Sequence, residues 1–268
     1  KTAEKIKNMG EFRFKRFTVQ NDRAAMRVNT DGVLLGAAMT ILPEDRCLLD
    51  IGTGTGTIAL MAAQRLNDMK ESIENNQERC FHITGIDIDK DSADEAEINF
   101  KASPWASNLH SAHKSLFEFT STAAYGDRMT DPEPEMLFDL IFSNPPYFES
   151  SLKAPDERRR NARHTDTLSY KDILEAASRH LRSSGRLSLI LPADQECGII
   201  RQAASFGLYP FNILYIRTTP KRAVSRIITE FSRSRIPAAK GYITIQDGGR
   251  YTAQYLSIVK DFLTIEPI

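Results

Sequence analysis

Cysteine is scarce: Cys47, Cys80 and Cys197 are the only three in 268 residues, and they stand far apart. So sparse and odd a set excludes a disulfide framework and fits no zinc-ligand spacing. It predicts free thiols in a reducing compartment and no metal centre. No stretch approaches about 18 consecutive apolar residues, so nothing is built to span a membrane. The first residues, KTAEKIKNMGEFRFKRF, are too charged for the apolar segment of a secretory leader, and the expected location is the cytoplasm. Neither sign of charge is in excess, with 35 Lys and Arg against 35 Asp and Glu, which leaves no general polyelectrolyte character.

The balance is local rather than uniform. Residues 1–30 hold eight basic side chains against three acids, and residues 216–240 hold seven against Glu230 alone. Residues 67–101 reverse the pattern, with ten acids against four bases. Basic ends around an acidic middle suit a face that meets a polyanion, although charge runs also simply solvate a surface.

Apolar runs and helical periodicities alternate along the chain. CLLDI (47–51) predicts a strand, TIALMAAQRLND (57–68) a helix, CFHITGIDID (80–89) a strand and KDSADEAEINFKAS (90–103) a helix. A third strand is expected near 109–112 and a fourth over MLFDLIFS (136–143). Ser169 opens a capping box into a helix over 170–182, which Gly185 is expected to stop. GRLSLILP (185–192) then gives a fifth strand, and QECGIIRQAASFG (195–207) a helix ending on Gly207. FNILYIRTT, SRIITEFSRS and KGYITIQ close the chain as strands with turns at Pro220 and Pro237. The pattern predicts one α/β domain with a mostly parallel seven-stranded sheet, an antiparallel edge strand and helices on both faces. Residues 1–45 form an extension to a core over 46–268.

Between the first strand and its helix lies Asp50-Ile-Gly52-Thr-Gly54-Thr-Gly56. Glycines there permit positive φ and let a ligand approach the backbone. The next strand ends in Asp87, where such βαβ units place a ribose-binding carboxylate. A dinucleotide fingerprint would carry glycine at the sixth place, which here is Thr57. The observed spacing resembles instead the first motif of class I S-adenosylmethionine-dependent methyltransferases. That resemblance implies a Rossmann-like fold, with S-adenosyl-L-methionine held by Gly52, Gly54, Gly56 and Asp87 while Asp50 shapes the loop. Asp89 is expected only to cap the following helix.

The fourth strand ends in Asn144-Pro145-Pro146-Tyr147-Phe148. Two prolines cannot continue a ladder, so the chain must leave the sheet here on a stiff turn. The run resembles the N/D-P-P-Y/F/W motif of methyltransferases acting on planar, conjugated nitrogen. The resemblance implies that the Asn144 side-chain oxygen and the Pro145 carbonyl accept the two amine hydrogens. Tyr147 would stack on the base, with Pro146 and Phe148 beside it.

FKRFTVQNDRAAMRVNTDGVLLGAA (14–38), LLDIGTGTGTIALMAAQR (48–65), SPWA (103–106), FDLIFSNPPYF (138–148) and ARHTDTLSY (162–170) follow one another in the order of the tRNA1(Val) adenine-37 N6-methyltransferase family, which the chain resembles. The resemblance implies a cytoplasmic enzyme with a single class I domain that methylates N6 of the adenine next to the anticodon of one valine tRNA, and a monomer is expected. Ser115 stands where class I enzymes commonly carry an acid facing the cofactor's adenine. Phe12, Phe14 and Phe17 alternate with Arg13, Lys15 and Arg16, a pattern that fits RNA contact and a half-buried strand equally. The resemblance implies that Thr30 and Asp31 sit near the cofactor, while the sequence around them favours a helix-cap role. Arg158, Arg159, Arg160 and Arg163, and later Arg217, Lys221, Arg222 and Arg226, are candidates for phosphate contact. Two alternatives share the chemistry: N5 methylation of a glutamine in a protein such as a release factor, and methylation of a base amine in ribosomal RNA. A nicotinamide oxidoreductase and a non-catalytic RNA-binding module are the alternatives of other classes.

Overall fold

The computed structural model describes residues 10–71, 80–124, 137–146 and 168–264. Tyr147, Phe148, Arg158, Arg159, Arg160 and Arg163 lie outside the described residues. No described helix is long and apolar enough to cross a membrane.

A short hairpin, β1 (Glu11–Arg13) with β2 (Thr18–Gln20), leads to helix α1 (Thr30–Ala38). The alternating strands and helices follow: β3 (Cys47–Ile51), α2 (Thr57–Glu71), β4 (His82–Asp87), α3 (Lys90–Lys101), β5 (Leu109–His113), α4 (Leu116–Ala124) and β6 (Phe138–Ser143). Then come α5 (Tyr170–His180), β7 (Leu181–Pro192), α6 (Glu196–Ser205), β8 (Tyr209–Arg217), β9 (Arg226–Ser232) and β10 (Ala239–Thr244). A second small hairpin, β11 (Gln246–Asp247) with β12 (Arg250–Tyr251), and helix α7 (Ala253–Val259) end the described chain.

The main sheet has eight strands in the order β10-β8-β9-β7-β6-β3-β4-β5. Only β9 runs against its neighbours. The expected fold class holds, with two corrections. The antiparallel strand is not at the edge, and an eighth strand, β10, lies parallel to β8 outside it. The burial explains both. Ile227 to Phe231 of β9 are buried throughout, as an interior strand requires, whereas β10 carries exposed Lys240 and Tyr242 on the open edge. The connection from β8 to β9 is also too short for a parallel crossover, so β9 must return antiparallel.

One apolar layer joins the sheet to α1, α2, α3 and α7 through residues such as Leu34, Leu60, Phe100 and Val259. The other joins it to α4, α5 and α6 through Leu116, Ile173 and Ile199. Phe14 stacks on Phe17 at 4.5 Å, and Phe17 meets Trp105 edge-on. Both phenylalanines are buried, so their part of the alternation belongs to the core rather than to RNA. Gly185 does not stop α5, because β7 already begins at Leu181. The pairing of β6 with β7 shifts register between Phe138 and Leu140, and a Cβ on Gly185 would lie 2.8 Å from the Phe138 carbonyl. Arg233 finishes α5, its guanidinium donating to the Ser178 and Leu181 carbonyls. Gly207 ends α6 as expected: it has positive φ, and the Gly207 and Leu208 amides donate to the Ala204 and Ala203 carbonyls.

From β3 the chain builds outward through β4 to β5, then returns to place β6 on the other side of β3. The crevice outside the carboxyl ends of β3 and β6 is therefore the switch point of the sheet, where open α/β sheets bind ligands.

Candidate active site

Gly52, Gly54 and Gly56 all have positive φ, at 71°, 56° and 78°. The loop is tied to β4 by the Gly52 and Thr53 amides, which donate to the Ile86 carbonyl at 2.8 and 3.0 Å. The glycines differ in what surrounds them. A Cβ at Gly56 would meet the Phe100 ring at 2.4 Å, so that glycine is required by packing. A Cβ at Gly52 would meet nothing within 4 Å, so that side of the loop is open for a ligand to reach.

Asp87 accepts from the Gly54 amide through Oδ2 and from the Asp89 amide through Oδ1, both at 2.9 Å. A carboxylate has about four lone-pair sites, so two acceptors remain for a vicinal diol. Burial pushes the Asp87 carboxyl upward, against the Asp89 and Gly54 amides that favour its charge. Asp50 is fully buried, and burial pushes its carboxyl up to about 7. The Thr53 hydroxyl, donating to Asp50 Oδ2 at 2.8 Å, and the nearby Ala59 amide oppose that rise, while the Asp87 charge adds to it. Asp50 Oδ1 is buried with no partner at bonding distance. Gly85 makes room for this arrangement, since a Cβ there would lie 2.7 Å from Thr53 Oγ1.

Asn144 follows directly from β6. Ser143 Oγ donates to the Ile51 carbonyl at 2.6 Å and locks the end of β6 against the entrance of the glycine loop. Pro145 is buried and Pro146 exposed, while the Asn144 side chain is half-buried. Asn144 Nδ2 donates to Met26 Sδ at 3.8 Å. The nitrogen is thereby turned to the thioether, and Oδ1 is the acceptor end of the carboxamide.

Met26 belongs to a segment, 21–28, that the sequence marks only through its family resemblance, with no role given to Met26. Its carbonyl lies 3.6 Å from where a Cβ of Gly54 would be. The segment is fastened to α3. Glu95, wholly buried, accepts the amides of Asp22 and Arg23 through Oε1 and of Ala24 through Oε2, at 3.0, 3.0 and 2.7 Å. Ser92 Oγ accepts the Ala25 amide. Asn99 exchanges two hydrogen bonds with the backbone of Gln20 and donates to the Thr55 carbonyl, joining segment and glycine loop. A sequence signal existed: Ser92, Glu95 and Asn99 sit at helical spacing beside the apolar Ala93, Ala96 and Phe100, so polar groups must face inward.

The other expected positions divide. Asp89 caps α3, accepting from Ser92 N at 2.9 Å. The α1 cap is Asn29 rather than Thr30 or Asp31, its Oδ1 accepting from Gly32 N. Asp31 instead pairs with Arg226 at 2.9 Å, which ties that arginine to α1. Ser115 lies at the carboxyl end of β5 as expected, but its hydroxyl donates to Glu118 Oε2 and accepts from the Glu118 amide, closing a capping box on α4. Lys221 and Arg222 are exposed in the turn between β8 and β9, on the same sheet edge as Asn144.

The RMKL-like, methyltransferase domain family model matches residues 35–205. The chain is similar to a tRNA1(Val) (adenine(37)-N6)-methyltransferase of Flavobacterium johnsoniae, 37% identical over 94% of this chain and 98% of that protein. A protein of the same name from Phocaeicola vulgatus is 38% identical over 94% and 96%. Among solved structures, a predicted O-methyltransferase from Agrobacterium tumefaciens aligns with a TM-score of 0.59 at 18% identity, covering 87% of this chain and 96% of that one. A type I restriction-modification methyltransferase subunit from Streptococcus thermophilus gives 0.51 at 14%, covering 84% and 48%. At such identities the two structures show a shared fold.

Proposed function

The chain belongs to the tRNA1(Val) (adenine(37)-N6)-methyltransferase family, and from that membership we propose that it methylates N6 of an adenine in tRNA, adenine 37 of a valine tRNA, using S-adenosyl-L-methionine. The observation that carries the assignment is Asn144 at the switch point, held beside the glycine loop by Ser143, with its amide nitrogen turned to Met26.

The residues present fit the cofactor: an open Gly52, a carboxylate at Asp87 with acceptors to spare for ribose hydroxyls, and glycines that keep the loop low. When bound, S-adenosyl-L-methionine supplies an electrophilic methyl on a sulfonium. An exocyclic adenine amine is a weak nucleophile because its lone pair is delocalised into the ring. Asn144 Oδ1 and the Pro145 carbonyl accept its two hydrogens and draw the nitrogen toward a pyramidal form, with the lone pair facing the methyl. The prolines fix the carbonyl before reaction, so little reorganisation remains. The alkylated amine is acidic and gives up its proton without a strong base, and the reaction calls for no metal.

Tyr147 stacks on the flipped base in this account, with Pro146 and Phe148 lining its site. Arg158, Arg163, Lys221 and Arg222 meet the flanking phosphates. Asp50 supports the loop from beneath, and the remaining lone pair of Ser115 can accept from the cofactor's adenine. We further propose that the enzyme works in the cytoplasm as a monomer, with residues 1–268 acting as one domain. The test is transfer of labelled methyl from S-adenosylmethionine into unmodified tRNA. Label released as N6-methyladenosine and lost on ribonuclease treatment is expected. Label that survives ribonuclease in protein would assign glutamine as the acceptor instead.

A further inference from the structure

Beyond the reacting centre, the geometry points to a second RNA contact: the β11–β12 hairpin, carrying Arg250 and Tyr251, joins the β8–β9 turn to form one rigid platform that grips the helical arm of the tRNA beside the target base. The platform rests on the tRNA reading above. β8 runs parallel to β6, so its carboxyl end and the turn after it share the edge that holds Asn144. The hairpin abuts that turn. The Ile245 and Gln246 amides donate to the Arg217 and Thr218 carbonyls at 3.0 and 2.9 Å and carry the ladder between β10 and β8 past its end.

Both sides of the hairpin are pinned. Gly248 and Gly249, with φ of 55° and 82°, make the tight two-residue turn. The Thr252 amide returns to the Ile245 carbonyl, and its hydroxyl bonds the Thr244 carbonyl while accepting from Tyr255 N to start α7. Tyr251 stacks on Tyr255 at 5.0 Å, and Tyr255 is 4% exposed within the core. Tyr251 itself remains 43% exposed, an aromatic surface supported from below.

Four exposed cations stand on the hairpin and on the turn it abuts: Arg250, Lys221, Arg222 and Arg217, whose guanidinium also donates to Thr244 Oγ1 and the Pro220 carbonyl. Among the described residues none of the four forms an ion pair with an acid, although Asp247 stands opposite Arg250 in the hairpin register. Unneutralised guanidinium and ammonium groups around a tyrosine on a stiff turn match a phosphate backbone with a sugar or base to lean on. Counting strands at about 4.8 Å each, β8 and β10 lie about 14 to 19 Å along the edge from β6. That is about four to six stacked nucleotides at about 3.4 Å each. The platform therefore reaches the stem flanking the flipped base and leaves the base to Asn144.

The test uses the full chain and an unmodified valine tRNA transcript, with binding measured across salt concentrations and turnover measured in parallel. The variants are Arg250→Ala, Tyr251→Ala and Tyr251→Phe. Arg250→Ala is expected to raise Kd and KM for tRNA severalfold. It should flatten the dependence of log K on log salt by about 0.7 to 0.9, the value of one phosphate contact. Its affinity for S-adenosylmethionine, its Tm and its kcat at saturating tRNA should stay within twofold or a degree of wild type. Tyr251→Ala should weaken tRNA binding severalfold and Tyr251→Phe should not. Wild-type turnover on tRNA with unchanged Arg250→Ala and Tyr251→Ala variants would overturn the platform and leave the function standing. A wild-type protein that methylates no tRNA would overturn both.

Discussion

Glu95 makes no contact with any reacting atom in this account, yet its replacement should be felt at the site. Its two oxygens accept three backbone amides from residues 22–24, and that segment brings Met26 to Asn144 and to the glycine loop. Glu95→Gln keeps the volume and one acceptor oxygen. The amide oxygen can still take the Asp22 and Arg23 amides, but the new NH2 faces the Ala24 amide, donor against donor. A buried amide left without a partner costs about 1–3 kcal/mol, and hydrogen bonds to a charged acceptor are worth more than those to the neutral amide replacing it. In a chain of this size each kcal/mol moves Tm by about 2–4 °C, so a fall of about 2–12 °C is expected if the loss is global. Much of it should instead appear as local opening, because the segment is a loop fastened at few points. Hydrogen exchange at Asp22 to Ala25 separates the two, and affinity for S-adenosylmethionine should fall severalfold with it. Unchanged exchange, Tm and cofactor affinity in Glu95→Gln would refute the clamp.

Other consequences can be measured as directly. Gly56→Ala combines about 1–2 kcal/mol of left-handed backbone strain with a Cβ 2.4 Å from Phe100, where overpacking adds about 1–3 kcal/mol; denaturant unfolding should show a loss of about 2–5 kcal/mol. Gly52→Ala carries only the backbone strain, so it should cost less stability and more cofactor affinity, read by calorimetry against Gly56→Ala. Asp50 has its carboxyl raised to about 7, so the protonated form is the one the fold favours. Its contribution to stability is present below the ordinary aspartate value and is lost as pH rises through about 7. Asp50→Asn should therefore gain on wild type, in the cofactor-free protein, as pH is raised from 5 to 8; a difference in Tm that does not vary with pH would contradict this.

What could be read from sequence was what depends on near neighbours in the chain. The strand–glycine loop–helix unit, the acid at Asp87, the caps at Asp89 and Ser169 and the proline stop after Asn144 are each set within a few residues, and each lies where expected. The clamp on segment 21–28 joins residues 67 to 79 positions apart, so it had no local signature beyond inward-facing polar groups on α3. Strand order escaped for the same reason: continuous burial of Ile227 to Phe231 marks an interior strand, but only the folded sheet says between which neighbours. The Gly248-Gly249 hairpin was legible and overlooked, since two adjacent glycines between short polar strands are themselves a turn signal. Whether Phe14 and Phe17 faced RNA or the core was undecidable from alternation alone, and Trp105, 88 residues after Phe17, decides it.

The central claim is that Asn144 polarises an adenine amine in RNA. Its most direct test is single-turnover methyl transfer to unmodified valine tRNA by wild type and Asn144→Ala, with binding of S-adenosylmethionine and of tRNA measured on both proteins. Wild type should yield N6-methyladenosine, and Asn144→Ala should bind both partners as wild type does while its transfer rate falls by about 10²–10³, the usual cost of removing one preorganised hydrogen-bonding group at a reacting centre. An Asn144→Ala protein that transfers methyl at the wild-type rate would contradict the account.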